Sequence, residues 1–207
     1  MSTPREPAAH STTPVALHSR AEDNLRFIRD TMAHAGAFTS VSGTGTIGAG
    51  VVGLAASVAA SPVLLATEPG RFLAVWVGAA LVAGAIAVVA MRRKAAHAGQ
   101  SLVGAPARRF TLAFFPALAA GAVLTVAFAA AGQASLLPGT WLTVYGAAVT
   151  AGGAFSVRPV PVMGCAFLVL GAVCFALPAQ LQQFALAAGF GGLHLAFGYH
   201  ITRHYGG

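Results

Sequence analysis

From Pro69 to Gly207 the chain contains no aspartate or glutamate, and from Phe110 onward its only Lys or Arg residues are Arg158 and Arg203. A water-soluble domain of that length would be left almost without charged surface. The whole chain is 57% hydrophobic and only 8% charged, a balance that belongs in a bilayer.

Six apolar runs carry this character: Gly45 to Ala66, Phe72 to Met91, Phe110 to Ala131, Leu136 to Ser156, Val160 to Leu177 and Leu181 to Ile201. Each is close to the roughly 20 residues that a helix needs to cross the hydrocarbon core. The connections TEPGR, GQASLLPG and PAQ are short, so consecutive helices are expected as antiparallel neighbours. The expected fold class is all-α: a polytopic membrane protein of six transmembrane helices, arranged as three antiparallel hairpins.

Basic residues set the orientation. Four lie in the N-terminal tail, five between Arg92 and Arg109, and one each at Arg158 and Arg203, which leaves only Arg71 on the opposite side. The positive-inside rule then puts both termini in the cytoplasm. On this reading Arg92, Arg93, Lys94, Arg108, Arg109, Arg158 and Arg203 form a cytoplasmic rim in contact with lipid headgroups. The net charge of +7 is spread between apolar runs rather than over one surface, so it marks topology and not a nucleic-acid footprint.

The region before the spans divides in two. Residues 1–17 are rich in Pro, Ser, Thr and Ala and are expected to be disordered. Over 18–36, Ser19-Arg20-Ala21-Glu22 reads as a capping box, and Leu25, Ile28, Met32 and Ala35 fall on one helical stripe, which predicts a short amphipathic helix along the interface or docked on the protein's own loops. That helix is the expected contact for a protein partner. The membrane domain takes up 37–207. No short basic start followed by an apolar core precedes it, so the first span is expected to be retained as a signal anchor.

Several motifs are excluded as chemistry. Gly43-Thr44-Gly45-Thr46-Ile47-Gly48 matches GxGxxG, but no strand precedes it and no acidic residue follows at the required distance, so dinucleotide binding is rejected. Its glycines are expected to turn the chain into the first span. Cys165 and Cys174 share one predicted helix and stand roughly 13 Å apart, too far for a disulfide. Without carboxylates in the spans there is no acid pair for hydrolysis and no standard proton relay, and no serine sits on a recognisable nucleophile elbow. No enzymatic activity, cofactor or metal is expected.

Polar residues inside the spans are the best pointers to function, because leaving them unsatisfied in hydrocarbon is costly. Centring the last three spans puts Thr150, Cys165 and His194 in one layer, with Tyr145 closer to the midplane. His194 can be read as a proton acceptor or as a soft-metal ligand for haem or copper, with Cys165 or Met163 as partners. It can also be read as a neutral ring hydrogen-bonded to Tyr145, Thr150 or a free carbonyl, gluing two helices. The second reading is favoured, since no carboxylate is available to orient or charge the imidazole. His200 and His204 share a helix face but lack further ligands, and are expected to anchor the cytoplasmic end. Pro116 and Pro161 are expected to kink or break helices, as transporters do to open backbone to a ligand.

GAALVAG (Gly78 to Gly84) and GAAVTAG (Gly146 to Gly152) agree at five of seven positions, with a looser echo in GGLHLAF, Gly191 to Phe197. Small residues at this spacing let helices approach closely, within the chain or in a homo-oligomer. Taken with PARRF, the phrases DNLRFIRDTM, GGAFSVRPVPVMG and GFGGLHLAFG resemble a group of uncharacterised bacterial integral membrane proteins often encoded beside winged-helix transcription regulators. The resemblance runs from about Asp23 to the C-terminus. It implies the bacterial cytoplasmic (inner) membrane and a shared pathway, and carries no catalytic residues. The functions in view are a non-enzymatic module that senses, scaffolds or binds a hydrophobic ligand, and, as the alternative, a small transporter or permease built around His194.

Overall fold

A computed structural model describes residues 23–25, 38–99 and 102–206. The chain divides into two compact units, Met1–Gly36 and Ala37–Gly207. In the first, residues 23–25 are helical. The rest of the amphipathic segment expected over 18–36, and the tail before it, lie outside the described residues.

Every regular element in the second unit is helical: α1 (Gly43–Ala59), α2 (Pro62–Thr67), α3 (Pro69–His97), α4 (Ala105–Ala130), α5 (Leu137–Gly153), α6 (Pro159–Ala176), α7 (Ala179–Leu186) and α8 (His194–Tyr205). A 3₁₀ turn, Ala134–Leu136, leads into α5, and a π-helical segment, Ala187–Leu193, joins α7 to α8. Among the described residues no strand occurs, and the one extended pairing is an isolated bridge between Phe38 and Ser156. Among the described residues four helical stretches are long and apolar enough to cross a membrane: α3, α4, α6 and the continuous run Ala179–Tyr205. The protein is an all-α membrane protein.

Proline and serine set the helix starts. Ser42 caps α1 by accepting from the Gly45 amide at 3.2 Å. Ser61 caps α2, whose first turn holds Pro62, and this interruption splits the first apolar run in two. Proline in a first turn loses no intrahelical bond, which explains Pro69, Pro138, Pro159 and Pro161. Pro116 stands inside α4, yet the helix continues through it from Ala105 to Ala130.

Two helices organise the packing. α1 lies between α3 and the α7–α8 run, and α5 lies between α4 and α6. The last helix therefore packs chiefly on the first, rather than on its predecessor in sequence.

Glycine makes both contacts possible. A Cβ on Gly45 would stand 2.7 Å from that of Ala90 in α3, and one on Gly50 would stand 2.9 Å from Leu195. Within the α5–α6 pair, a Cβ on Gly146 would come 2.7 Å from the Leu168 amide, and one on Gly153 the same distance from the Pro161 nitrogen. The GxGxxG glycines thus lie inside α1 and form its packing surface, where the sequence had suggested a turn. The two halves of the GAA repeat also part company, because Gly78 and Gly84 meet nothing within 4 Å. Of the other glycine pair, Gly191 packs on Leu54, whereas Gly192 faces open space.

Two clamps tie one end of the unit. The Phe38 amide donates to the Phe155 carbonyl at 2.6 Å, and the Ser156 hydroxyl donates to the Phe38 carbonyl at 2.7 Å. Lys94, near the end of α3, donates to the carbonyls of Val41, Tyr205 and Gly206 at 2.9, 2.8 and 2.9 Å. The segment leading into α1, the end of α3 and the end of α8 are held together by one ammonium group.

Since Gly146 is packed against backbone and Gly78 is open, Gly146→Ala should lower unfolding free energy by about 1–3 kcal/mol through overpacking, whereas Gly78→Ala should leave it unchanged or slightly raised. Thermal unfolding of both variants in mild detergent checks this; equal effects would contradict the packing described.

Candidate functional site: the buried Tyr145–His194 pair

His194 stands where α8 begins, immediately after the π-helical segment. The segment reads AAGFGGL, and its small residues let a wide turn fit among neighbours: Gly189 packs against Leu142, Phe167 and Leu170. A π turn shifts the backbone hydrogen-bond register, and such turns recur at functional sites. This one sets the His194 ring facing α5, where Tyr145 lies.

The two side chains are joined. Tyr145 Oη and His194 Nε2 are 2.7 Å apart, and His194 is buried, with 5% of its surface exposed. Nδ1 makes no hydrogen bond of good geometry, although the backbone carbonyls of Gly189 and Phe190 lie beside the ring. Carbonyls only accept, so they favour the tautomer with its proton on Nδ1. Tyr145 then donates its hydroxyl proton to Nε2.

Aromatic rings enclose the pair. Phe167 lies 4.9 Å from Tyr145 and 5.3 Å from His194 between ring centres, and Phe190 lies 5.3 Å from Tyr145 and 6.2 Å from His194. Phe114 meets Tyr145 edge-on. From Phe190 the aromatic contacts continue through Trp76 to Trp141, which stacks on Phe72 at 5.9 Å. Trp141 Nε1 donates to the Thr125 hydroxyl at 2.9 Å.

The other members of the expected polar layer stand apart from the pair. The Thr150 hydroxyl donates to the Gly146 carbonyl of its own helix at 2.8 Å and packs under Gly164. Cys165 is exposed, so it shares no site with the buried imidazole. Met163 is buried in the apolar core. Among the described residues no group of three His, Cys, Asp or Glu side chains is placed to hold a metal.

Further polar atoms are buried where the sequence had drawn no attention. Gln183 Nε2 donates to the Ser57 carbonyl at 2.6 Å and Gln182 Nε2 to the Leu177 carbonyl at 3.3 Å. The side-chain oxygens of both glutamines and Trp76 Nε1 have no partner. QLQQ near the start of an apolar run was the available signal.

The basic residues behave differently. Arg92, Arg93, Arg108, Arg109, Arg158 and Arg203 are exposed, and Lys94 is half-buried in its clamp. The Arg203 guanidinium lies 5.3 Å over the Tyr199 ring. His200 and His204 stack at 4.3 Å, with His204 Nδ1 donating to the His200 carbonyl at 2.9 Å. Two grooves open among these residues. One of about 740 Å³ lies between α1 and the end of α3; one of about 430 Å³ lies by Arg158, Phe197, His200 and Tyr205.

Chemically, the buried pair is a neutral hydrogen bond in an aromatic enclosure, with no carboxylate anywhere from α3 to α8 to charge it. Removing one partner leaves the other unsatisfied, so Tyr145→Phe should cost about 1–3 kcal/mol. A double-mutant cycle with His194→Phe should show a coupling of about 0.5–3 kcal/mol; strictly additive losses in detergent unfolding would refute the bond as a stabilising element. Comparison with protein-family models, with curated proteins and with solved structures finds no match, so the functional argument rests on the residues and their geometry.

Proposed function

We propose that this is a six-span protein of the bacterial cytoplasmic membrane, with both termini in the cytoplasm, acting as a non-enzymatic module that senses, scaffolds or binds a hydrophobic ligand. The observation that carries the reading is the division of polar groups. The most deeply placed polar pair, Tyr145 and His194, is joined in packing, whereas Arg93 and Arg158 line grooves open to the surroundings. Two helices complete the count of six. α1, with α2 after it, is a shorter apolar helix, and α5 is buried between its neighbours. The arginines at the ends of α3, α4, α6 and α8 suit the cytoplasmic leaflet.

Residues 18–36 are the proposed contact for a protein partner. They precede Phe38 in the chain, which is bonded to the α5–α6 turn. Deleting 18–36 should abolish recovery of a specific partner from detergent-solubilised membranes. Unchanged recovery and phenotype would defeat the scaffold reading. Reporter fusions at residues 1 and 207 should both report cytoplasm; opposite sides would defeat the six-span topology.

A transporter is the second reading. It is favoured by the π turn beside His194 together with the unpartnered buried atoms of Trp76, Gln182 and Gln183, since irregular backbone and polar atoms at membrane depth line many substrate paths. Reconstituted protein would then move a solute across liposomes, and His194→Ala would slow that flux. Flux unchanged by the substitution would remove His194 from any such path.

A further inference from the structure

The larger groove combines two surfaces. Its floor is apolar, made by Ala85, Ile86, Val89 and Ala90 of α3 facing Thr44 and Gly45 of α1. At its rim stand Arg93, Lys94 and His97, all in the last turns of α3. None of the described residues lining it is acidic.

These rim groups are not equivalent. The Lys94 ammonium spends its three protons on the carbonyls of Val41, Tyr205 and Gly206, so it contributes charge but no free donor. The His97 Nδ1–H donates to the Arg93 carbonyl at 2.7 Å. Arg93 is exposed, and among the described residues its guanidinium has no ion-pair partner. Its planar set of donors matches a phosphate in two-point contact.

The groove's depth has a local cause. α1 and α3 touch closely at Gly45 and Ala90, and again at Gly48 and Ile86. Gly45, which has no Cβ, and the small side chains of Ala85 and Ala90 line the groove between its cationic rim and the apolar face of α3. A soluble anion would use only the rim. A molecule using both surfaces has an anionic head and a hydrocarbon chain.

We infer that this groove holds one anionic glycerophospholipid, its phosphate on Arg93 and an acyl chain along Ala85, Ile86 and Val89. The inference rests on the membrane-spanning reading above. Basic pockets between membrane helices are the recurrent form of such sites, and charge complementarity selects the lipid class: a zwitterionic phosphatidylcholine brings a cation to a rim that is already cationic. The lipid would also bridge the Lys94 clamp, where the ends of α3 and α8 meet the start of α1.

The test is a titration of the purified full chain in non-ionic detergent, read by native mass spectrometry. Dioleoyl phosphatidylglycerol, dioleoyl phosphatidylcholine and glycerol 3-phosphate are the three probes. Phosphatidylglycerol should bind with one tight equivalent, and Arg93→Gln should weaken it about fivefold or more. Arg92→Gln removes the same charge one residue away, outside the groove, and should weaken binding less than about twofold. Ala85→Phe, which fills the slot from an exposed position, should reduce lipid binding while leaving the unfolding midpoint unchanged. Equal losses from Arg92→Gln and Arg93→Gln, equal binding of phosphatidylcholine, or glycerol 3-phosphate binding as tightly as the whole lipid would each overturn the site. Because the titration is done in detergent, it is independent of orientation: reversed topology with intact lipid binding would sink the cytoplasmic assignment and leave the site standing.

Discussion

The close approach of helix backbones at glycine is the constraint on which this structure depends. In a bilayer, apolar side chains gain little by leaving lipid for protein, so helices associate through packing and a few polar bonds. Gly45, Gly50 and Gly53 on α1, and Gly146 and Gly153 on α5, let backbone meet backbone or short side chain at distances no Cβ would allow. That is why α1 and α5 sit centrally, with α3 and α4 on the outside, where residues such as Leu81, Phe115 and Val126 remain exposed.

The aromatic interior follows from that arrangement. Five aromatic side chains, Trp76, Phe114, Tyr145, Phe167 and Phe190, meet around His194 or next to those that do. The imidazole follows directly on a wide turn, and the run AAGFGGL supplies small residues where the turn is made. The hydroxyl of Tyr145 then satisfies Nε2 without introducing charge. Such a pair ties α5 to the start of α8, because each partner would otherwise need another hydrogen-bonding group at the same depth.

Some of this was legible in advance. Helices occur along each apolar run, but the first run, Gly45 to Ala66, is broken between Ala59 and Pro62, and others extend beyond their runs, at Pro69–His97 and Ala179–Tyr205, because a helix need not end where hydrocarbon does. His194 was recognised as the polar group to explain, and Tyr145 was among the partners considered. The π turn left no periodic signature to read, and Cys165 turned out on the exposed side because a shared depth says nothing about which way a helix face points. Lys94 looked like one more rim cation; three carbonyls from two other segments make it a clamp.

By itself, the sequence determined the solvent of this protein. A chain without acids after Glu68, with apolar runs of bilayer length, must satisfy its backbone in helices, and that follows from hydration and hydrogen bonding alone. Only the tertiary structure decided which of many similar glycines carry contacts. GAALVAG and GAAVTAG agree at five of seven positions, yet Gly78 faces open space and Gly146 bears on Leu168, because contact depends on the rotation and neighbours of a helix, which a local pattern does not encode. The same reason separates Arg92 from Arg93: equal charges, adjacent in the chain, of which one rims a groove.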